Sequence, residues 1–422
     1  MILKIRNLGP LKKAELDISK KILFFVGFNN SGKTYLSQLI WGIYNRSFYD
    51  KFIEKCDVNK ILKTEDISNF SINEENLNTL VGEYSKFIKE NIHLIFKQEK
   101  KYFENFSIDL LVNEDTIKLI ATDMKVDFNN AQDEDIKRRI VHFLFIGLFD
   151  AQSFYLPSTR GAYTTFYQYI YRIEKDKKDK MDDFFLSDKK DIEKLMSIIK
   201  DNQPSYTMAM NELISKMISV KQNSIINEEY AEFQERIKTL IGGGINIVTA
   251  PSGKKELKLS IKGNIELPMY LASSNSNQLT TLYLYFRDWI SQTNKNFLVL
   301  DEPEENLHPK HQYELLNTLI DFTAKGNKLL VTTHSTLIAK MINNYVTYSQ
   351  LTDESKSKIN TTHINTDIKK EDIEICFFDG EQVKHYNIEE YGIVFKDFLA
   401  IENDIASLSN EINRALYKQG NN

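Results

Sequence analysis

The segment Gly27-Phe28-Asn29-Asn30-Ser31-Gly32-Lys33-Thr34 matches the pattern G-x-x-x-x-G-K-[ST] in full. It follows the apolar residues 21–26, which are predicted to form a buried strand, and it precedes a helix pattern whose apolar residues within 36–44 share one face. Glycines let successive backbone N–H groups turn inward around a phosphate, and the following helix directs its positive end at the same anion. The sequence therefore predicts a strand, a phosphate-binding loop and a helix, in that order.

Each position of this loop has a predicted role. Lys33 is expected to reach the β- and γ-phosphates of a nucleotide and to act in catalysis, and the Thr34 hydroxyl is a hard oxygen ligand suited to Mg²⁺. The predicted nucleotide-binding residues of the loop are Gly27, Asn29, Asn30, Ser31, Gly32, Lys33 and Thr34.

Two acidic residues follow a second apolar strand, at residues 297–300. Asp301 is predicted to hold the Mg²⁺ shell opposite Thr34, and Glu302 is predicted to orient and polarise the attacking water. A third strand ends in Thr333-His334-Ser335, and His334 at that terminus can donate to the γ-phosphate or to the water. The predicted catalytic residues are thus Glu302, His334 and Lys33.

The composition is that of an ordinary globular protein. The chain has 422 residues, 54 basic and 59 acidic side chains, and a net charge of −5, so it is not a basic nucleic-acid coat, although a local basic patch stays open. Two distant cysteines exclude a disulfide scaffold and a zinc ribbon. No signal peptide and no run long enough to span a bilayer is recognisable, so we expect a cytoplasmic protein without a membrane partner.

Strands alternate with helices in two distant segments, which predicts an α/β fold with a mixed or mostly parallel sheet. The predicted organisation is residues 1–45 as the first part of the core, 46–150 as a mostly helical insertion, 151–165 as a core strand and its following loop, 166–241 as a helical lobe, 242–390 as the second part of the core, and 391–422 as a C-terminal helix. Within these regions we predict a hairpin at residues 106–128, a buried helix at 134–149 and a hairpin at 373–388.

The last helix carries a heptad pattern, with apolar residues spaced 4-3-4-3-4-3. These residues are Val394, Phe398, Ile401, Ile405, Leu408, Ile412 and Ala415. The pattern suits a partner helix, and packing on the chain's own body is equally compatible with it. His308 and His311 lie three residues apart at a helix start, but no third ligand accompanies them, so we do not predict a metal site there.

With these motifs in place, the chain resembles the ABC-type ATPases of the SMC, RecF and OLD kind. The loop at residues 27–34 looks like the G-x-N-x-x-G-K-[ST] variant of that group, and residues 301–309, DEPEENLHP, look like its D-E-P-E…L-H-P run. The resemblance covers about half of the chain, and it implies ATP and Mg²⁺ as cofactors and a P-loop ABC-ATPase core with large helical insertions.

Two further segments gain a role only through this resemblance. Residues 273–279 stand where the family carries its signature, although asparagines replace the usual glycine, and asparagine tolerates positive φ. By resemblance, Ser274, Ser276, Asn277 and Gln278 would bind the γ-phosphate held by a second subunit. Residues 154–160 are similar to the F-Y-x-P-x-x-R strand of OLD-like ATPases, near the Q-loop position, where Arg160 senses nucleotide or forms a structural ion pair.

The resemblance implies a homodimer, or a higher homo-oligomer, that closes around ATP. The first functional hypothesis is an ATPase switch that controls a separate effector, a nuclease or a toxin, in bacterial antiviral defence, as in PARIS- or Septu-like systems. The residues after His334 lack a D-x-D pattern, so the chain is not expected to be a nuclease itself. The alternatives are a RecF- or SMC-like ATPase that binds DNA in repair or chromosome maintenance, and a low-turnover, ATP-bound scaffold that sequesters a toxin.

Overall fold

The computed structural model describes residues 1–63, 73–113, 134–173, 175, 206–220, 228–249, 255–262, 265–359, 368–389, 392–396 and 398–420. The strands are β1 (Ile2–Leu8), β2 (Leu11–Asp17), β3 (Ile22–Gly27), β4 (Ser107–Leu111), β5 (Ala151–Leu156), β6 (Gly244–Thr249), β7 (Lys255–Ile261), β8 (Ile265–Pro268), β9 (Lys295–Asp301), β10 (Lys328–Thr333), β11 (Ile373–Phe378), β12 (Val383–His385), β13 (Ile388–Glu389) and β14 (Gly392–Ile393).

The α-helices are α1 (Lys33–Tyr44), α2 (Arg46–Lys55), α3 (Val58–Leu62), α4 (Glu74–Phe96), α5 (Glu134–Leu148), α6 (Arg160–Thr165), α7 (Met208–Ser219), α8 (Ala231–Ile241), α9 (Ser274–Leu284), α10 (Pro309–Ala324), α11 (Thr336–Ser349), α12 (Asp353–Lys358) and α13 (Ala400–Gly420). A π turn, Tyr285–Trp289, continues α9, and short 3₁₀ turns lie at Lys100–Phe103, Glu228–Tyr230, Met269–Leu271 and Lys370–Asp372.

A six-stranded sheet forms the centre of the fold, in the order β12-β11-β3-β10-β9-β5. β11, β3, β10, β9 and β5 run parallel, and only the short edge strand β12 is antiparallel. The parallel strands that are neighbours in this sheet are not consecutive along the chain, so crossover connections join them. The predicted α/β class with a mostly parallel sheet is confirmed. β3, β10 and β9 are neighbours, so the three segments with predicted chemistry end side by side.

Side chains of the central strands alternate between two hydrophobic cores. Phe24 and Val26 of β3 belong to the core that also contains α8–α11 and β6–β8, whereas Leu23 and Phe25 belong to the core formed with β1, β2, β4 and α1–α5. Both faces of the sheet are therefore covered, which explains the continuous apolar run of the predicted strand at residues 21–26.

Residues 46–150, predicted as an insertion, are mostly helical where they are described, and they share the second core with β1, β2 and α1. The strand part of the hairpin predicted at 106–128 exists as β4, but β4 pairs with β1. The remainder of that predicted hairpin lies outside the described residues, as does half of the predicted lobe at 166–241. α5 buries one face only, because Phe143 and Ile146 are exposed.

The C-terminal region differs from its prediction. The predicted helix at 391–422 begins only at Ala400, because Gly392–Ile393 forms β14, which pairs antiparallel with β13. Val394 and Phe398 therefore do not belong to the helix, and the heptad pattern is shorter than the sequence suggested. The hairpin predicted at 373–388 is confirmed as β11 and β12.

Candidate nucleotide-binding site

The phosphate loop joins β3 to α1, as predicted, and its conformation requires two of its glycines. Gly27 has φ +149° and Gly32 has φ +93°. A Cβ at Gly27 would lie 2.4 Å from the carbonyl oxygen of Phe378, and one at Gly32 would lie 2.6 Å from Cγ of Leu11. No side chain caps α1 at Gly32, and the buried Ser31 Oγ has no hydrogen-bond partner among the described residues. The loop thus presents unused donors at a helix N-terminus.

Lys33 is folded against the loop that precedes it. Its Nζ donates to the carbonyl oxygens of Gly27, at 3.0 Å, and Phe28, at 2.7 Å. Burial lowers the pKa of Lys33, and the carboxylates of Glu302 and Asp301 act in the opposite direction. The lysine is therefore held in the loop facing the acids of β9, the position in which an ammonium can contact a phosphate.

Asp301 lies at the end of β9 and accepts hydrogen bonds from three neighbouring elements. Thr34 Oγ1 donates to its Oδ2 at 2.9 Å, Tyr155 donates to the same oxygen at 3.1 Å, and the Thr332 hydroxyl donates to Oδ1. Burial raises the pKa of Asp301, and the hydrogen bonds from Thr332 and Thr34 lower it. The pair of Thr34 and Asp301 is a hard-oxygen set of the kind that Mg²⁺ prefers.

Glu302 turns away from the strand direction, with φ +46°, a rare conformation for a residue with a side chain. Its N–H donates to the carbonyl oxygen and to the hydroxyl of Thr332, each at 3.1 Å. These contacts hold a strained backbone that brings the carboxylate to the cleft. Strain of this kind clusters at functional positions.

His334 follows β10 and lies against Glu302, with Nδ1 3.5 Å from Oε1. Their hydrogen bond lowers the pKa of Glu302 and raises the pKa of His334. Glu304 holds the backbone at the histidine, because its Oε1 accepts hydrogen bonds from the backbone N–H of His334, at 3.1 Å, and from the Thr333 hydroxyl. Burial raises the pKa of Glu304.

Arg160 is 1% exposed, and all five of its N–H donors are used by main-chain carbonyls. The accepting residues are Pro157, Gln278, Asp301, Glu302 and Pro303. Burial lowers its pKa to about 10. A contact between Arg160 and nucleotide stays a prediction, whereas the visible role of the guanidinium is to tie the start of α6 and α9 to the end of β9.

The predicted signature residues lie at the start of α9 and do not line the phosphate-loop cleft. Ser274 is exposed, whereas the side chains of Ser276, Asn277 and Gln278 are buried and bonded within the protomer. Gln278 links to the cleft indirectly, since its Nε2 donates to Glu305 at 3.2 Å. Contact of these residues with a γ-phosphate of a second subunit stays a prediction.

The cleft at the carboxyl ends of these strands has a volume of about 710 Å³. It is lined by Pro10, Asn29, Asn30, Ser31, Gly32, Lys33, Thr34, Tyr35, Glu302, Glu305 and His334. Sequence reasoning missed Tyr155 and Thr332, which bind Asp301, and Pro10, Tyr35 and Glu305 in the lining. Tyr155 and Thr332 both stood inside segments already singled out, one strand away from Asp301 on either side.

The residues of the cleft fit a nucleotide phosphate and a magnesium ion. The glycine cradle excludes Cβ atoms, Ser31 Oγ is buried and finds no partner in the part of the chain that the structure describes, and the oxygens of Thr34 and Asp301 lie 2.9 Å apart. His308 and His311 show no such fit, because His308 caps α10 by accepting from the Lys310 N–H, and neither belongs to a potential metal-binding group among the described residues.

Fold and cleft together define a P-loop nucleotide-binding α/β protein. Residues 1–339 match the family AAA_15, described as an AAA ATPase domain, and the chain belongs to this family. The chain is accordingly an ATPase by family. β11, β12 and α13 lie beyond the matched residues. No curated protein matches the chain.

Several solved structures are similar to the chain at low identity. An Smc head domain from Pyrococcus furiosus, bound to the C-terminal domain of ScpA, is 13% identical, with 96% of this chain and 98% of that chain covered and a TM-score of 0.34. The ADP form of MJ1267, an ATP-binding cassette of an ABC transporter, is 11% identical, with 93% and 92% covered and a TM-score of 0.33. The SMC head domain from Thermotoga maritima is 10% identical, with 92% and 98% covered and a TM-score of 0.32.

Among the helices that the structure describes, none combines the length and the apolar character needed to cross a membrane.

Proposed function

We propose that the protein is an ABC-type ATPase switch, in which two copies close head to tail around ATP and hydrolysis releases them. The observation that carries this proposal is the division of the predicted site: the phosphate loop, Glu302 and His334 line one cleft, with Asp301 bonded to Thr34 behind it, whereas the signature segment at the start of α9 lies outside this cleft. In a two-fold pair, the signature segment of each copy would complete the cleft of the other copy.

Exposed apolar side chains near both halves of the site support this arrangement. Phe28 and Tyr35 are exposed at the phosphate loop, and Tyr270 and Leu271 are exposed directly before α9. Contiguous exposed apolar residues beside a polar site are typical of interaction surfaces.

In the proposed reaction, the chain's own groups divide the work. Bound Mg-ATP supplies the phosphoanhydride bond that is cleaved. Lys33 stabilises the phosphate oxygens, Thr34 and Asp301 hold the metal shell, Glu302 orients the attacking water and accepts its proton, and His334 donates to the γ-phosphate. The strained turn at Glu302 and the contact with Glu304 hold these two groups in place.

Glu302→Gln tests the switch, because the amide keeps the shape of the side chain and loses the base. We expect ATP hydrolysis to fall at least 100-fold and ATP to trap a dimer that mass photometry detects. Glu314→Gln on the exposed side of α10 is the matched control. Wild-type turnover and assembly in Glu302→Gln would refute the assigned role.

We further propose that the closed pair acts on a separate effector protein, as the resemblance to stand-alone ATPases of antiviral defence implies. The test is co-purification with the product of the neighbouring gene, with and without ATP. Stimulation of hydrolysis by DNA, together with salt-dependent DNA affinity, would instead favour the repair or chromosome-maintenance alternative. Nucleotide retention with little turnover and a stably bound toxin would favour the scaffold alternative.

A further inference from the structure

Helix α13 leaves the body of the protein with its apolar residues uncovered. Ile405, Leu408 and Ile412 are 60%, 57% and 50% exposed, and every described side chain from residue 403 to 417 is exposed. Near its start, Glu402 pairs with Lys340 of α11. Such side chains are normally buried in a folded protein, so an isolated helix with this surface lacks its packing partner.

Four of the uncovered residues form one stripe. Ile405, Leu408, Ile412 and Ala415 follow each other at intervals of 3, 4 and 3, which places them on one side of a helix. The opposite side carries the polar residues Asn403, Asn410 and Arg414, and Tyr417 lies at its end. The stripe spans eleven residues, or about 15 Å, which is enough for two layers of contacts on each side of a two-fold axis.

We propose that this stripe is an interface for α13 of a second copy of the chain, packed antiparallel. One register pairs every stripe residue with another stripe residue: Ile405 meets Ala415 of the second copy, and Leu408 meets Ile412 of the second copy. The first pair combines a large side chain with a small one, and the second pair combines two side chains of similar size, so the layers have compatible volumes.

Charge favours the antiparallel direction. The first half of α13 is acidic, with Glu402 and Asp404, and the second half is basic, with Arg414 and Lys418 in the sequence. In the antiparallel register, position 404 of each copy, an aspartate, comes opposite position 418 of the other copy, a lysine. This gives two pairs of opposite charge, whereas Glu411 meets Glu411 of the second copy as one pair of like charge. In a parallel pair, Asp404 and Glu411 would face Ser409 and Leu416 of the second copy and gain no counter-charge.

This interface does not depend on the proposed ATP-driven closure, because it uses no residue of the cleft. It would keep two copies together when nucleotide is absent and so raise the effective concentration of the heads for closure. The whole acidic-to-basic helix carries no excess of cations, which does not suit an anionic membrane surface.

Sedimentation of the full chain in EDTA, without nucleotide, tests the proposal between about 1 and 50 μM. We expect a monomer–dimer equilibrium whose dissociation constant rises at least 30-fold in Leu408→Asp and stays within 3-fold of wild type in the control Asn410→Asp on the opposite face. A monomeric wild-type chain over this range would overturn the proposal, as would binding to neutral lipid vesicles without self-association.

Cysteine cross-linking tests the direction of the helices in a Cys56→Ser background, where the remaining Cys376 is buried. Ile405→Cys mixed with Ala415→Cys should form a disulfide-linked heterodimer, and each variant alone should form at least 5-fold less. Efficient cross-linking of each variant with itself would indicate parallel helices and contradict the proposal.

Discussion

Replacing Arg160 with lysine distinguishes a structural role of this residue from a nucleotide-sensing one. The guanidinium makes five hydrogen bonds to main-chain carbonyls, at 2.8–3.4 Å, in a region closed to solvent. Lysine keeps the charge but offers at most three donors from a single atom, so at least two carbonyls lose their partner.

A buried acceptor without a partner costs about 1–3 kcal/mol, so we expect Arg160→Lys to lower the free energy of unfolding by about 2–4 kcal/mol. With a urea m-value of about 3 kcal/mol/M, the midpoint of unfolding moves by about 1 M. Fluorescence follows the transition, because Trp41 and Trp289 are both buried and lie in different cores. Arg46→Lys, at an exposed ion pair with Asp50, is the control.

Nucleotide affinity is measured in the same variants under conditions where both are folded. If the role is structural, Arg160→Lys loses stability and retains ATP affinity within about 3-fold, an effect under 1 kcal/mol. Unchanged urea unfolding together with a tenfold loss of ATP affinity would refute this reasoning and support the nucleotide contact that the resemblance implies.

Three further outcomes are expected. Tyr155→Phe removes one hydrogen bond to Asp301 and should lower magnesium-dependent ATP turnover about 3- to 10-fold with unchanged far-UV circular dichroism. An unaltered rate would show that the hydrogen bonds from Thr34 and Thr332 suffice to hold Asp301. Gly27→Ala should lower the free energy of unfolding in urea by about 2–4 kcal/mol, because the new Cβ meets the Phe378 carbonyl. The control Gly326→Ala also has a positive φ but open space around it, and it should lower the free energy by about 1–2 kcal/mol. Equal losses would contradict the clash. Burial raises the pKa of Glu212 to about 7, so the folded state retains a proton that the unfolded state releases, and the free energy of unfolding falls as pH rises from about 4.5 through 7. The free energy of unfolding of Glu212→Gln should therefore gain about 1–3 kcal/mol relative to wild type between pH 5 and pH 8. Parallel pH profiles of the two proteins would contradict this.

The phosphate loop, the acids after β9 and the histidine after β10 were predictable from the sequence because each depends on a local pattern. Gly27 and Gly32 stand where no Cβ is tolerated, and the apolar runs before Asp301 and His334 mark buried parallel strands with polar ends. Since parallel strands end at the same edge of a sheet, their meeting in one cleft followed from the class of fold.

The partners of these residues depended on strand order, which no local pattern contains. Placing β9 between β10 and β5 brings Thr332 and Tyr155 to Asp301 from opposite sides, and the sequence separation of Tyr155 from Asp301 is 146 residues. The five carbonyls around Arg160 come from three separate segments, so its burial could not be read from residues 154–160 alone.

For the last helix, the sequence alone established an apolar stripe, and the tertiary structure decided that the described part of the chain leaves it exposed from Ile405 onward. Periodicity reports which side chains share a face of a helix, because that depends on the backbone repeat. It does not report what lies against the face, because that depends on where β14 ends and in which direction the chain leaves the core.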